Sequence, residues 1–172
     1  MTAPHRPHAH GETPVRALGF GLLTISDTRT DADDLSGRAM RELVASAGHA
    51  VREAAIVRDE PALVRERVLA WASEAACDAI VCSGGTGLAG RDRTVEAVSD
   101  LFDPAIEGFG ELFRMLSFDE IGSRAMLSRA AAGVVRGTPV FLLPGSPKAV
   151  ALALTRLILP EIGHLVGELG RR

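Results

Sequence analysis

Apolar and polar positions alternate along the chain in blocks that predict strands followed by helices. Residues 18–25 (LGFGLLTI) form a short, nearly continuous apolar run, the pattern of a strand covered on both faces. A polar loop at 26–37 separates this run from a helix that places Met40, Leu43, Val44 and Ala47 on one face and stops at Gly48. A second strand is predicted through 50–57. The helix after it starts at Arg58-Asp59-Glu60-Pro61, with proline near the first turn and acids at the positive end of the dipole. Its apolar stripe is Val64, Val68, Trp71, Ala72 and Ala75. A second continuous apolar run, 79–82, predicts a central strand.

Residues 95–101 read as a short helix and 105–116 as a longer one, with Phe109, Leu112, Phe113 and Leu116 at helical spacing. Residues 123–132 fit neither period. Two apolar runs, 131–135 and 140–143, predict a hairpin or paired strands around Arg136-Gly137-Thr138-Pro139. The last helix carries a stripe from Val150 to Val166, within which Pro160 is expected to kink or divide it.

This order predicts an α/β fold: one three-layer domain with a mostly parallel sheet and helices on both faces. In such sheets ligands bind beyond the carboxyl ends of the strands. Polar loops follow three of the strand candidates, at 26–37, 83–94 and 144–148, and Arg58-Asp59-Glu60 follows a fourth. Their convergence on one edge is the architectural expectation.

Composition narrows the function classes. At 172 residues, 47% hydrophobic and 24% charged, the chain has the make-up of an ordinary soluble globular domain. Residues 1–14 hold three prolines and three of the five histidines and are expected to be a disordered tail, leaving 15–172 as the domain. A net charge of −3 argues against a basic nucleic-acid surface, and 4% aromatics argue against base-stacking platforms. No apolar run reaches the length of a membrane span and no signal sequence is visible, so a cytoplasmic protein is expected. Cys77 and Cys82 are expected to pack as small apolar residues.

Candidate chemistry centres on 83–94 (SGGTGLAGRDRT). Its glycines permit positive φ and bring backbone N–H groups within reach of an anion, Arg91 adds a cation, and Asp92 a carboxylate. Such a loop suits a phosphate ester carrying a metal ion. The stretch also matches G-x-G-x-x-G, but it follows the third strand candidate and no strand ending in an acid comes about twenty residues later. As a P-loop it is a near miss, with Arg91-Asp92 where lysine and a hydroxyl belong. Asp59 alone fits helix capping or dipole compensation, and Asp92 an ion pair with Arg91. Together, facing a phosphate loop, they fit magnesium coordination better. Ser83 and Thr86 either donate to phosphate or satisfy loop backbone. Outside the tail only His49 and His164 remain, so histidine acid–base catalysis is not expected. That favours attack of one phosphate on another, a reaction needing little proton transfer.

SGGTG followed by RD and T, LLTISDTRTDADDLSG, EGFGELFRMLSFDEIG and LPGSPKAV together resemble the MoaB/MogA family of molybdenum cofactor biosynthesis proteins. The resemblance runs over roughly residues 16–168 and looks more like MoaB than MogA. It implies the molybdopterin-binding fold and a molybdopterin adenylyltransferase, with Mg2+ as cofactor and ATP and molybdopterin as substrates. Asp59 and Asp92 match the family's functional acids, as catalytic and metal-holding residues. Ser83, Gly84, Gly85, Thr86 and Gly87, with Arg91, match the loop for pterin and phosphate groups. Pro144, Gly145, Ser146, Pro147 and Lys148 match a second binding turn, and Ser26, Asp27, Thr28, Asp34 and Ser36 the first polar loop. A homo-trimer or hexamer is implied, with neither nucleic acid nor membrane as partner. The chain departs from the common pattern at Ala89-Gly90, Arg93, Val95 and 123–126. A non-catalytic molybdopterin-binding or pathway-partner protein is the alternative within the same family.

Overall fold

The structure is a computed structural model that describes residues 16–73, 76–90 and 92–170. The predicted tail, Ala75 and Arg91 lie outside the described residues. Five strands form one sheet: β1 (Gly19–Ile25), β2 (Ala50–Val57), β3 (Ala79–Ser83), β4 (Ala131–Val135) and β5 (Thr138–Leu143), in the order β2-β1-β3-β5-β4. The first four strands in that order run parallel, and β4 is antiparallel to β5 at the edge. The register fixes where the loops begin. Ile25 pairs with Val57, Thr24 with Ser83, and Ser83 with Leu143, so β1, β2, β3 and β5 all end at one level.

The continuous apolar runs are explained by burial on both faces. Along β1, β3 and β5, alternate residues enter different cores. Phe20, Leu22, Val81, Phe141 and Leu143 pack against Met40 and Val44 of α1 (Leu35–Ser46) and Phe109 and Phe113 of α4 (Glu107–Ile121). Leu23, Ile25, Ile80, Cys82, Val140 and Leu142 face Val64, Val68 and Trp71 of α2 (Pro61–Ser73) and Val98 of α3 (Thr94–Ser99). Each such side chain contributes about 1.5–3 kcal/mol by leaving water. Burial pushes the Cys82 thiol up to about 12 and the Cys77 thiol to about 11, and both are free and buried.

Helix ends follow the local chemistry. At the end of α1, Gly48 takes φ +81°, His49 N–H donates to Val44 O and Gly48 N–H to Ala45 O, the paired bonds of a glycine C-terminal cap. The predicted split at Pro160 takes a specific form. Helix α5 (Pro147–Ala153) passes through one π turn (Leu154–Ile158) into α6 (Leu159–Leu169), which has Pro160 in its first turn. The wider turn tolerates the N–H that proline lacks. Among the described residues this 23-residue helical stretch is the one long and apolar enough to cross a membrane by length and composition. Here it is a core element, with Val150, Ala153, Leu154, Ile158 and Ile162 at most 1% exposed.

Two expectations needed adjustment. Helix α4 runs five residues beyond its predicted end at Leu116, to Ile121, and a 3-10 segment (Gly122–Leu127) follows it. The hairpin turn is only Arg136-Gly137, both at positive φ, and β5 begins at Thr138. That two-residue geometry matches the twist of antiparallel strands.

Candidate functional site at the carboxyl edge of the sheet

Four loops leave the common strand level and meet. Gly84, the first residue after β3, has φ +111°, and its N–H donates to Leu143 O at 3.0 Å. Gly85 has φ +62°, and a methyl group there would lie 2.1 Å from Thr94 Oγ1 and 2.8 Å from Asp59 Oδ1. Only glycine fits. The Thr94 N–H donates back to Gly85 O at 3.1 Å, which closes the loop on itself. Thr94 Oγ1 is buried against Gly85 with no hydrogen-bond partner among the described residues, an arrangement that costs stability.

The two acids flank this loop. Asp59 follows β2 and presents Oδ1 to Gly85, while its N–H donates to Asp27 Oδ1 at 3.0 Å. Asp92 lies within the loop. Its Oδ2 accepts from the Ala89 N–H at 3.2 Å and would be 2.5 Å from a methyl on Gly87. The carboxylates therefore abut glycines two positions apart. Among the described residues no group of three or more His, Cys, Asp or Glu side chains could hold a metal. A pair of acids without sulfur or imidazole suits Mg2+, which keeps water and substrate phosphates as its remaining ligands.

The first loop divides by function. Asp34 and Ser36 are buried and face inward. Asp34 Oδ1 accepts from the Gly37 N–H at 2.8 Å as the N-cap of α1, and its Oδ2 accepts from Thr24 Oγ1 at 2.7 Å. Ser36 Oγ donates to Gly145 O at 2.8 Å, and Arg29 donates to Ser36 Oγ at 2.9 Å and to Gly145 O at 3.0 Å. These side chains fasten the first loop to the 144–148 turn. Ser26 Oγ accepts from the backbone of Thr28 and Arg29, leaving Asp27 and Thr28 as exposed groups of this loop. Asp34→Ala removes a cap and strands the Thr24 hydroxyl; about 2 kcal/mol of stability should be lost, read as a Tm lower by roughly 4–8 °C in thermal denaturation.

In the second turn Ser146 caps α5 by accepting from the Ala149 N–H at 3.2 Å, Pro147 opens the helix and Lys148 is exposed. Ser83, 1% exposed, donates to Pro144 O at 3.4 Å, and a methyl on Gly145 would lie 3.3 Å from Gly84 Cα. The glycine loop and the second turn are therefore in contact. Thr86 is buried and Gly87 exposed.

Two arginines have no counterpart in the sequence reading. Arg29 is the clamp just described. Arg129, just before β4, donates through Nε to Thr86 O at 3.0 Å and through Nη2 to Gly87 O at 2.7 Å and Asp92 O at 2.5 Å. Its Nη1 meets Glu96 Oε1 at 2.5 Å. The Glu96 carboxyl sits below its ordinary range, held there first by its own backbone N–H and then by Arg129.

A cavity of about 490 Å³ opens beside these loops, between the first loop (Ser26, Asp27, Arg29) and the end of β2 at Val57 and Arg58. A larger one of about 640 Å³ lies between α4 and α6 and contains none of the predicted site residues.

The family described as "Probable molybdopterin binding domain" matches residues 21–164. The chain is 49% identical over 164 residues to molybdenum cofactor biosynthesis protein B of Bacillus cereus, covering 95% of this chain and 97% of that protein. It is 52% identical over 161 residues to the protein of the same name from Halalkalibacterium halodurans, covering 93% and 95%. A crystal structure of molybdenum cofactor biosynthesis protein B superposes with a TM-score of 0.90 at 47% identity, over 93% of this chain and 100% of that one. The tungsten cofactor synthesizing protein MoaB from Pyrococcus furiosus superposes with a TM-score of 0.80 at 34% identity, over 90% and 98%.

Proposed function

The chain belongs to the molybdopterin-binding domain family, alongside the molybdenum cofactor biosynthesis B proteins, and on that basis we propose that it is a Mg-ATP-dependent molybdopterin adenylyltransferase. The observation that carries this reading is the placement of Asp59 and Asp92 against one glycine loop.

In the proposed reaction a terminal phosphate oxygen of molybdopterin attacks the α-phosphorus of ATP. A new P–O bond forms, the bond from that phosphorus to the bridging oxygen breaks, and pyrophosphate leaves with the bond's electron pair. The nucleophile is already an anion, so no base is needed. The protein's task is to hold two polyanions in line and offset their charge. Asp59 and Asp92 are the residues that would hold Mg2+, which when bound neutralises charge on the transferring and leaving phosphates. Backbone N–H groups of the glycine loop and the exposed Lys148 supply the remaining positive potential. A homo-trimer or hexamer is part of the same reading. It would cover Leu112, Met115, Phe118 and Ile121, which α4 leaves 48–59% exposed.

The test is incubation of the purified chain with α-labelled ATP, Mg2+ and molybdopterin. Label on the pterin with matching pyrophosphate release supports the adenylyltransferase. Tight pterin binding without nucleotide binding or AMP transfer contradicts it and favours the non-catalytic alternative.

A further inference from the structure

Thr94 is 1% exposed, and its Oγ1 is a buried hydroxyl oxygen with no hydrogen-bond partner among the described residues. A helical threonine commonly donates to a carbonyl one turn back, as Thr155 does to Ala151 O at 2.7 Å. Thr94 is the first residue of α3 and has no helical turn behind it. A valine would keep nearly the same shape here without burying an unmatched hydroxyl, so the threonine costs stability as it stands. A group of that kind in a native fold calls for a partner that comes with function.

The surroundings identify that partner. Gly85, at φ +62°, leaves a gap where a side chain would stand. Thr94 Oγ1 and Asp59 Oδ1 both border it, 2.1 and 2.8 Å from the position of a Gly85 methyl. The hydroxyl and the carboxylate oxygen are therefore neighbours across that gap. Thr94 is held firmly in place: its N–H donates to Gly85 O at 3.1 Å, and Val98, one turn further along α3, is fully buried. Asp59 stands half-buried in the loop after β2, tied through its backbone N–H to Asp27. A fixed donor beside a carboxylate sets which way that carboxylate turns, and groups that orient a metal ligand in this way strengthen its hold on the ion.

We propose that Thr94 is a positioning residue for Asp59: its hydroxyl donates to Oδ1 and leaves Oδ2 as the oxygen offered to Mg2+. Hydrogen bonds of this kind are often long until the substrate complex closes them. The inference rests on the proposed reading of Asp59 as a magnesium-holding residue. It also gives Gly85 a purpose beyond its φ, since any side chain there would part the two oxygens.

The test uses the full chain and two probes, Mn2+ followed by EPR and MgATP titrated by calorimetry. Thr94→Val removes the hydroxyl at nearly constant shape, and Thr94→Ser keeps it. Asp59→Asn supplies a background with no carboxylate to orient. Thr94→Val should weaken both probes roughly tenfold, while Thr94→Ser stays within about threefold of wild type. The Tm of Thr94→Val should equal or exceed that of wild type, because an unmatched buried hydroxyl has gone. In the Asp59→Asn background the same substitution should change affinity less than about twofold. Wild-type affinity in Thr94→Val would overturn the proposal. So would a tenfold loss that persists in the Asp59→Asn background or comes with a lower Tm, since the hydroxyl would then act alone or as a structural tie. A wild-type chain that binds neither probe, or whose binding ignores Asp59→Asn, overturns the magnesium reading and this inference with it. Binding that needs Asp59 but not the Thr94 hydroxyl overturns this inference alone.

Discussion

Asp59→Asn and Asp92→Asn should each lower AMP transfer by a factor on the order of 10²–10³, the range for removing one electrostatic contact to a transition state. Asparagine keeps the volume and one acceptor oxygen, so the contact from the Ala89 N–H to residue 92 can persist. The link from Asp59 to Asp27 uses the backbone N–H of Asp59 and survives as well. What each variant loses is the negative charge, and with it the hard anionic ligand that Mg2+ prefers. The loss should therefore fall on turnover and on magnesium dependence, with the unfolding temperature near that of wild type. Single-turnover transfer at several magnesium concentrations, beside thermal denaturation, checks both halves.

Gly84→Ala should be the most damaging small substitution for the fold around the site. The residue sits at φ +111°, where L side chains are strained, and its methyl would lie 2.2 Å from Ile25 O and 3.1 Å from Ile25 C. These are backbone atoms at the end of β1, a strand paired on both sides, so neither can move without disturbing the sheet. Strain and clash together should cost about 3 kcal/mol or more, lowering Tm by roughly 6–12 °C. Gly90→Ala in the same loop is the control. A methyl there meets nothing within 4 Å, and the change should stay within about 0.5 kcal/mol.

The architecture was legible in the sequence because β1, β3 and β5 are buried on both faces. Such burial demands unbroken apolar runs, and these mark a parallel sheet flanked by helices. The level at which the loops leave was legible too, since each run ends abruptly in polar residues. The tertiary roles of the arginines were not. Arg129 reaches partners 33 to 43 positions away, and Arg29 reaches Gly145 across 116. Such contacts leave no period in the sequence, and 123–132 looked featureless for that reason. Asp34 and Ser36 illustrate the reverse. Their residue types suit both capping and ligand binding, and only the fold reveals that both are turned inward on Gly37, Thr24 and Gly145. Likewise proline alone signals only a disturbance, and the π turn before Pro160 is seen only in the fold.

The central claim is that one magnesium-bound triphosphate engages both carboxylates. A double-mutant cycle on MgATP affinity, with wild type, Asp59→Asn, Asp92→Asn and the double variant titrated by calorimetry, tests it most directly. If the two acids share one ion, their losses should be coupled by about 1 kcal/mol or more, so that the second substitution costs clearly less once the first is made. Fully independent losses, or an affinity indifferent to both substitutions, would contradict the account.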